Sequence, residues 1–189
     1  QRLPVAAALH LLDAAAERLT IPNLHLKRGA TLVAYSGGKC LRGPQAGGLL
    51  LGRKDLVQTA FIHSAPHHAF GRPMKAGKEE IMGMLAAVEM WVKRDHKKEW
   101  EEWESWIEHI GQTVHKVDGV SYKILQPVDL SNNSPQIQIS WNGEKLGISG
   151  TEVEKTLLNG SPRIIVGGAS GDARFGVKDS SITIMPYMM

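Results

Sequence analysis

The chain has a single cysteine, Cys40, among its 189 residues. No internal disulfide can form, which fits a reducing compartment, and a cytoplasmic location is the expectation. No apolar run reaches the length needed to cross a bilayer, so no membrane partner is expected. The opening Leu3 to Leu12 stretch is short and carries Pro4 and His10. Charge of one sign is scarce too: 22 Lys and Arg stand against 19 Asp and Glu, a net charge of +3, and the basic residues form no long run. Nucleic acid is therefore not indicated as a partner, and tRNA is not expected. Internal repeats and low-complexity segments are absent. No cysteine pair accompanies His63, His67 and His68, their spacing is not that of a helical zinc pair, and Pro66 interrupts them. No metal is expected there, and residues 63–78 read as a loop that lines or covers a pocket.

The chain is 42% hydrophobic and 22% charged, the balance of a globular protein able to bury a core. Its length suits one domain or one and a half. It begins at Gln1 inside an apolar run and reads as a piece of a longer protein, cut on its N-terminal side.

The organising stretch is Tyr35-Ser36-Gly37-Gly38-Lys39-Cys40-Leu41-Arg42-Gly43-Pro44-Gln45-Ala46-Gly47-Gly48. Apolar runs lead in, Thr31 to Tyr35, and out, Leu49 to Leu51; both read as short buried strands bounded by glycine breakers. Lys39 sits on the turn between them. A lysine desolvated in a pocket can lose its proton and attack a carbonyl; a solvated loop lysine is the alternative. Upstream, Val5 to Leu12 reads as a buried parallel strand ending on Asp13. Asp13 is either a ligand-facing acid at a strand's carboxyl end or the N-cap of a helix over the alanines that follow. If the two strands are parallel neighbours, Asp13 and Lys39 share one sheet edge.

Thr20 to Arg28 reads as a loop or short irregular helix, and Asp55 opens a helix to Ile62. From Glu79 to about Lys116 the apolar residues repeat at three and four: Ile81, Met84, Leu85, Val88, Val92, then Trp100, Trp103, Ile107, Ile110, Val114. That stripe reads as core packing on one long helix, a strut between domains, or on a kinked pair meeting at Asp95 to Lys98. Beyond Gly119, strands are expected over Tyr122 to Val128, Gln136 to Trp141, Arg163 to Val166 and Ile182 to Met185. Ser131 to Pro135 forms a turn, and Thr151-x-x-Glu154 is a capping box for a helix closing at Gly160. Strands with one helix make a small α+β unit.

Several stretches carry a resemblance: Leu12-Asp13-Ala14-Ala15, Tyr35-Ser36-Gly37-Gly38-Lys39, Gly43-Pro44-Gln45-Ala46-Gly47, and Arg72-Pro73-Met74-Lys75-Ala76-Gly77-Lys78-Glu79-Glu80-Ile81. They resemble the fold type I enzymes dependent on pyridoxal 5′-phosphate (PLP), and among these the selenocysteine synthase family, L-seryl-tRNA(Sec) selenium transferase. The implied fold class is α/β: residues 1–78 as the C-terminal part of a PLP-binding large domain, 79–117 as a long connecting helix, and 118–189 as a small α+β C-terminal domain. The implied cofactor is PLP, held as a Schiff base on Lys39, which then acts as base at the substrate's Cα. Asp13 would pair with the pyridine nitrogen, Ser36 would bind the phosphate, and Gly37 and Gly38 would let the backbone come close. Arg42, Gln45, His68 and Arg163 are candidates for holding substrate, with Arg174 beside Arg163 as a second candidate for a carboxylate. The expected substrate is an amino acid or amino sugar acid, and the expected reaction α,β-elimination by a lyase or elimination and addition by a transferase. An aminotransferase and a non-catalytic remnant are the alternatives. A homodimer or higher homo-oligomer is expected from the same resemblance. The chain departs from the family pattern at Gly38, where an acid is usual.

Overall fold

A computed structural model describes residues 9–130, 134–170 and 179–188. The chain divides into two compact units, Gln1–Arg94 with Asp129–Asn133, and Asp95–Val128 with Ser134–Met189.

The first unit is built on a three-stranded sheet. Strand β1 (Leu11–Asp13) pairs in parallel with β2 (Leu32–Ser36), and β2 pairs antiparallel with β3 (Gly48–Gly52), in the order β1-β2-β3. The expected strand before Asp13 lies partly outside the described residues. Along β2 the side chains alternate, and Val33 and Tyr35 point into the core, as a half-buried strand requires. Between β1 and β2 runs a single short helix, α1 (Leu24–Lys27), with Asn23 accepting from the Leu26 N–H as its cap. After β3 come α2 (Lys54–Ile62) and α3 (Lys78–Lys93). Met84 and Trp91 of α3 join Ala14, Leu19, Val33, Tyr35 and Leu41 in one apolar cluster.

The stripe read from α3 is corrected by this packing. Its buried residues are Met84, Ala87 and Trp91, while Ile81, Leu85 and Val92, on the adjoining arc, are exposed. Residues three and four apart stack on one face, so a helix covering a narrow core buries only one such row.

The helical rhythm from Glu79 to about Lys116 is likewise not one helix. The backbone turns extended at Arg94, with ψ 136°, and Asp95 starts α4 (His96–Val114) by accepting from the Lys98 N–H at 3.0 Å. Of the two readings, the one with a break at Asp95 to Lys98 therefore stands, because an aspartate that caps a new helix competes with continuing the old one.

The second unit is a four-stranded antiparallel sheet, order β4-β5-β7-β6, formed by β4 (Val120–Leu125), β5 (Gln136–Asn142), β6 (Gly167–Ser170) and β7 (Asp179–Ile184). Helix α4 lays Trp103, Ile107 and Gly111 on the core side. A Cβ on Gly111 would come within 2.4 Å of the Tyr122 ring, so the ring occupies the space the missing side chain leaves. Ile107, Ile137, Ile139, Trp141, Val166 and Ile182 form the core. Two short helices, α5 (Gly143–Leu146) and α6 (Gly150–Leu158), follow β5.

Two expectations shift here. The capping box is Ser149 with Glu152, not Thr151 with Glu154: the Ser149 side chain accepts from the Glu152 N–H, and the Glu152 carboxylate accepts from the Ser149 N–H. Both frames fit the S/T-x-x-E pattern, and the helix starts where the reciprocal pair closes. Residues 163–166 carry no strand; pairing begins at Gly167, and Ile164 instead donates its N–H to the Leu157 carbonyl.

Candidate active site

Asp13 is the last residue of β1 and stands in register with Ala34 of β2. Two residues later β2 ends at Ser36, and Lys39 follows in the turn after it. Because the two strands run parallel, Asp13, Ser36 and Lys39 come to one edge of the sheet, at its carboxyl ends. Asp13 and Lys39 are both exposed, and among the described residues no hydrogen bond or ion pair engages the Lys39 amine. The Ser36 hydroxyl is equally unengaged among the described residues.

The alanines after Asp13 do not form the helix the capping alternative requires. They make a turn in which Asp13 Oδ1 accepts from the Ala15 N–H at 2.9 Å. Only one short local bond is therefore made by the carboxylate, the habit of Asp in turns. The segment beyond it is tied down from several sides. Ala14 donates its N–H to Ala34 O at 2.9 Å, the Cys40 thiol donates to Ala16 O at 3.2 Å, and Trp91 Nε1 donates to Leu19 O at 3.1 Å. Glu17 and His25 pair at 2.5 Å in a partly buried position. Nearby, the Tyr35 hydroxyl accepts from Asn23 Nδ2 at 2.8 Å. Burial pushes the Tyr35 phenol above its ordinary value; the Asn23 hydrogen bond opposes the rise and the Glu17 charge adds to it.

The Lys39 loop joins two antiparallel strands in register at Ser36 and Gly48. It folds on itself through Gly37 N–H to Gly47 O at 2.9 Å, Gly43 N–H to Gly37 O at 2.7 Å and Arg42 N–H to Lys39 O at 2.9 Å. Leu41, 1% exposed, anchors it in the core. A Cβ on Gly37 would fall within 2.7 Å of Met84 Sδ, Pro44 O and Gly47 O, so the loop closes only with glycine there. At Gly38 the place of a side chain is taken by Gln45, whose Nε2 reaches Gly38 O at 3.4 Å. A side chain at this position would require Gln45 to move aside.

The substrate-side candidates are scattered. Arg42, at φ 56°, and Gln45 lie in the Lys39 loop and are exposed. His68 is exposed in the loop after α2; its neighbour His67 faces the Phe61 and Ser64 carbonyls and lies edge-on to the Phe61 ring. Arg163 belongs to the second unit and is exposed. Arg174 lies outside the described residues. Sequence reasoning missed the thiol tie from Cys40 and the support from Met84. The only signals were a cysteine next to the lysine and a methionine on a helix face, and neither type is specific.

An acid and a lysine that has no ion pair among the described residues stand on the carboxyl edge of this sheet, where open α/β sheets place their ligands. The relatives carry the names of enzymes. The chain is 28% identical over 161 residues to D-glucosaminate-6-phosphate ammonia lyase of Salmonella typhimurium, covering 82% of this chain and 40% of the relative. It is 29% identical over 136 residues to 5′-C-glycyluridine monooxygenase-decarboxylase of a Streptomyces species, covering 72% of this chain and 33% of that protein. It is 35% identical over 71 residues to L-seryl-tRNA(Sec) selenium transferase of Edwardsiella ictaluri, covering 38% of this chain and 14% of that protein. A solved structure of D-glucosaminate-6-phosphate ammonia-lyase shares the fold, with a TM-score of 0.62 at 23% identity, over 91% of this chain and 42% of that one. No family profile matches the chain. The resemblance read in the motifs thus stands: homologues include the ammonia lyase and the selenium transferase. The chain spans less than half the length of these curated relatives.

Proposed function

We propose that the chain carries the lysine-bearing part of a PLP-dependent lyase or transferase acting on an amino acid or amino sugar acid, with α,β-elimination as its reaction. The observation that carries this reading is the shared sheet edge: parallel β1 and β2 present Asp13, Ser36 and Lys39 together. The residues suit the group. An amine without an ion pair among the described residues can take an aldehyde, a hydroxyl can donate to a phosphate, and a carboxylate can face a cationic ring nitrogen.

When bound, PLP supplies an electron sink for charge developing at the substrate's Cα. The protein's part follows from its own groups. Lys39 would hold the cofactor through its amine and would move the proton at Cα. Asp13 would face the ring nitrogen and favour its protonated form by opposite charge. Ser36 would orient the phosphate end. Gly37 and Gly38 keep the backbone slim where the loop folds back on itself. Elimination, rather than transfer of the amino group, is favoured by a relative named as an ammonia lyase that aligns with 82% of this chain.

The test is spectroscopic. On adding PLP, purified protein carrying this sequence should develop an absorbance band at the edge of the visible, and Lys39→Ala should lack it. A wild-type protein with no band, or a band that survives Lys39→Ala, overturns the reading and leaves the chain a folded remnant without catalysis.

A further inference from the structure

Helix α3 does more than fill the core of the first unit. Its Met84, 7% exposed, lies under the Lys39 loop, where three glycines converge on it. A Cβ at Gly37 would stand 2.4 Å from Met84 Sδ, one at Gly43 2.9 Å from Sδ, and one at Gly47 2.7 Å from Met84 Cγ. On either side along the helix, Ala87 lies against Gly43 and Gly83 lies beneath Pro44. Gly37 and Gly43 flank Lys39, and the Gly43 N–H to Gly37 O bond at 2.7 Å closes the turn that holds it. The thioether therefore occupies the floor of the turn, where a flexible, polarizable side chain can fit against bare backbone.

We propose that Met84 is a positioning residue for Lys39. It sets the height and direction of the loop from below, and the three glycines leave it room. This rests on the reading of Lys39 as the functional amine; Met84 touches the loop backbone and acts through it. Removing the side chain leaves a void directly under the turn, which the loop must enter or span. A leucine of similar volume restores the floor.

The test compares wild type, Met84→Ala, Met84→Val and Met84→Leu, all without cofactor. Amide hydrogen exchange at Gly37, Arg42, Gly43 and Gly47 reports loop closure, with the amides of Val33 and Ala34 in β2 as the folding control for the same unit. The rate at which an amine-acylating reagent modifies Lys39, relative to Lys97, reports how the amine is held; Lys97 lies in the second unit with its side chain 88% exposed. In Met84→Ala the loop amides should exchange about tenfold faster or more, the order of a cavity under a closed loop. The Lys39 to Lys97 ratio should leave its wild-type value. Met84→Val should fall between, and Met84→Leu should restore both. If loop exchange rises while the acylation ratio stays at its wild-type value, Met84 only packs and the proposal fails. It fails equally if no loop amide responds. Because these measurements need no cofactor, a missing absorbance band would overturn the PLP reading and leave this one to be decided by the acylation data.

Discussion

The two units solve the problem of burying apolar surface differently. In the second, a four-stranded antiparallel sheet takes α4 across one face, and Ile107 and Ile137 are fully buried. In the first, three strands carry a core of small extent, and large apolar side chains stay exposed around it: Phe61 and Ile62 on α2, Phe70 and Met74 in the following loop, Ile81, Met82, Leu85, Met90 and Val92 on α3. Phe70 is 92% exposed. The second unit also exposes Val117, Val128, Ile164 and Ile165, so the difference lies in the core: the second, more closed around it, is organised by its core, whereas the first, more open, is organised by a loop. Its best-fixed feature is the Lys39 turn, held by Leu41 from within, by Met84 from below and by the Cys40 thiol toward the Asp13 segment.

That contrast can be broken first by cavity mutants. Ile107→Ala in the closed unit should cost about 2–5 kcal/mol in denaturant unfolding, since a fully buried side chain is lost from a packed core. Ile81→Ser on the exposed arc of α3, 58% exposed, should change stability by no more than about 0.5 kcal/mol. A large loss at Ile81 would mean that its arc is covered in solution, and the first unit would then be as closed as the second.

A smaller effect sharpens the role of the loop. Gly37→Ala places a methyl against two carbonyl oxygens, Pro44 O and Gly47 O, which cannot swing aside as a side-chain end can. Overpacking of this sort should cost about 1–3 kcal/mol, and hydrogen exchange should show it at β2 and β3 while β5 is untouched. An equal loss in both units would show that the loop is not the local organiser of the first.

The smallest effect compares how each unit starts a helix. At α2, the Arg53 side chain hydrogen-bonds to Asp55 and holds its carboxyl down to about 2. At α6, Glu152 is lowered first by the Ser149 backbone N–H and then by its hydroxyl. Both folded values lie below the unfolded ones. The favourable contribution is therefore present above the ordinary carboxyl range and fades as pH falls through the folded value, near pH 2 for Asp55. In an NMR titration, Arg53→Ala should return Asp55 toward its ordinary value. High salt should weaken the Asp55 shift more than that of Glu152, which comes first from the neutral Ser149 donors and only last from the Lys155 charge. An Asp55 that keeps its low value after loss of Arg53 would show that the guanidinium is not what lowers it.

Much of the fold was legible residue by residue. The runs Thr31 to Tyr35 and Leu49 to Leu51 announce β2 and β3 by apolar residues between glycine breakers, and Gln136 to Trp141 announces β5 by alternation, because a half-buried strand's side chains repeat every two residues. The Asp13 and Lys39 placement followed from two runs ending in chemistry-bearing residues. Periodicity misled where it is blind. It could not choose between one long helix and a pair broken near Asp95, which depends on one cap, nor between two overlapping S/T-x-x-E frames around Ser149 and Thr151. It also counted Ile81, Leu85 and Val92 as core, since an apolar stripe records what could be buried and not how much surface is there to bury it.

The amino-acid order alone determined which backbone could be strand, turn or helix, and put a lysine on a glycine turn after an apolar run. Those are local matters, set by sterics and side-chain spacing within a few residues. Only the tertiary structure decided that β1 and β2 run side by side in parallel, which brings an acid to the edge that carries an amine 26 positions later. Only it decided that Met84, 45 positions beyond that amine, fills the floor beneath it. Contacts between distant segments depend on complementary volumes meeting in space, and single residues do not advertise their partners.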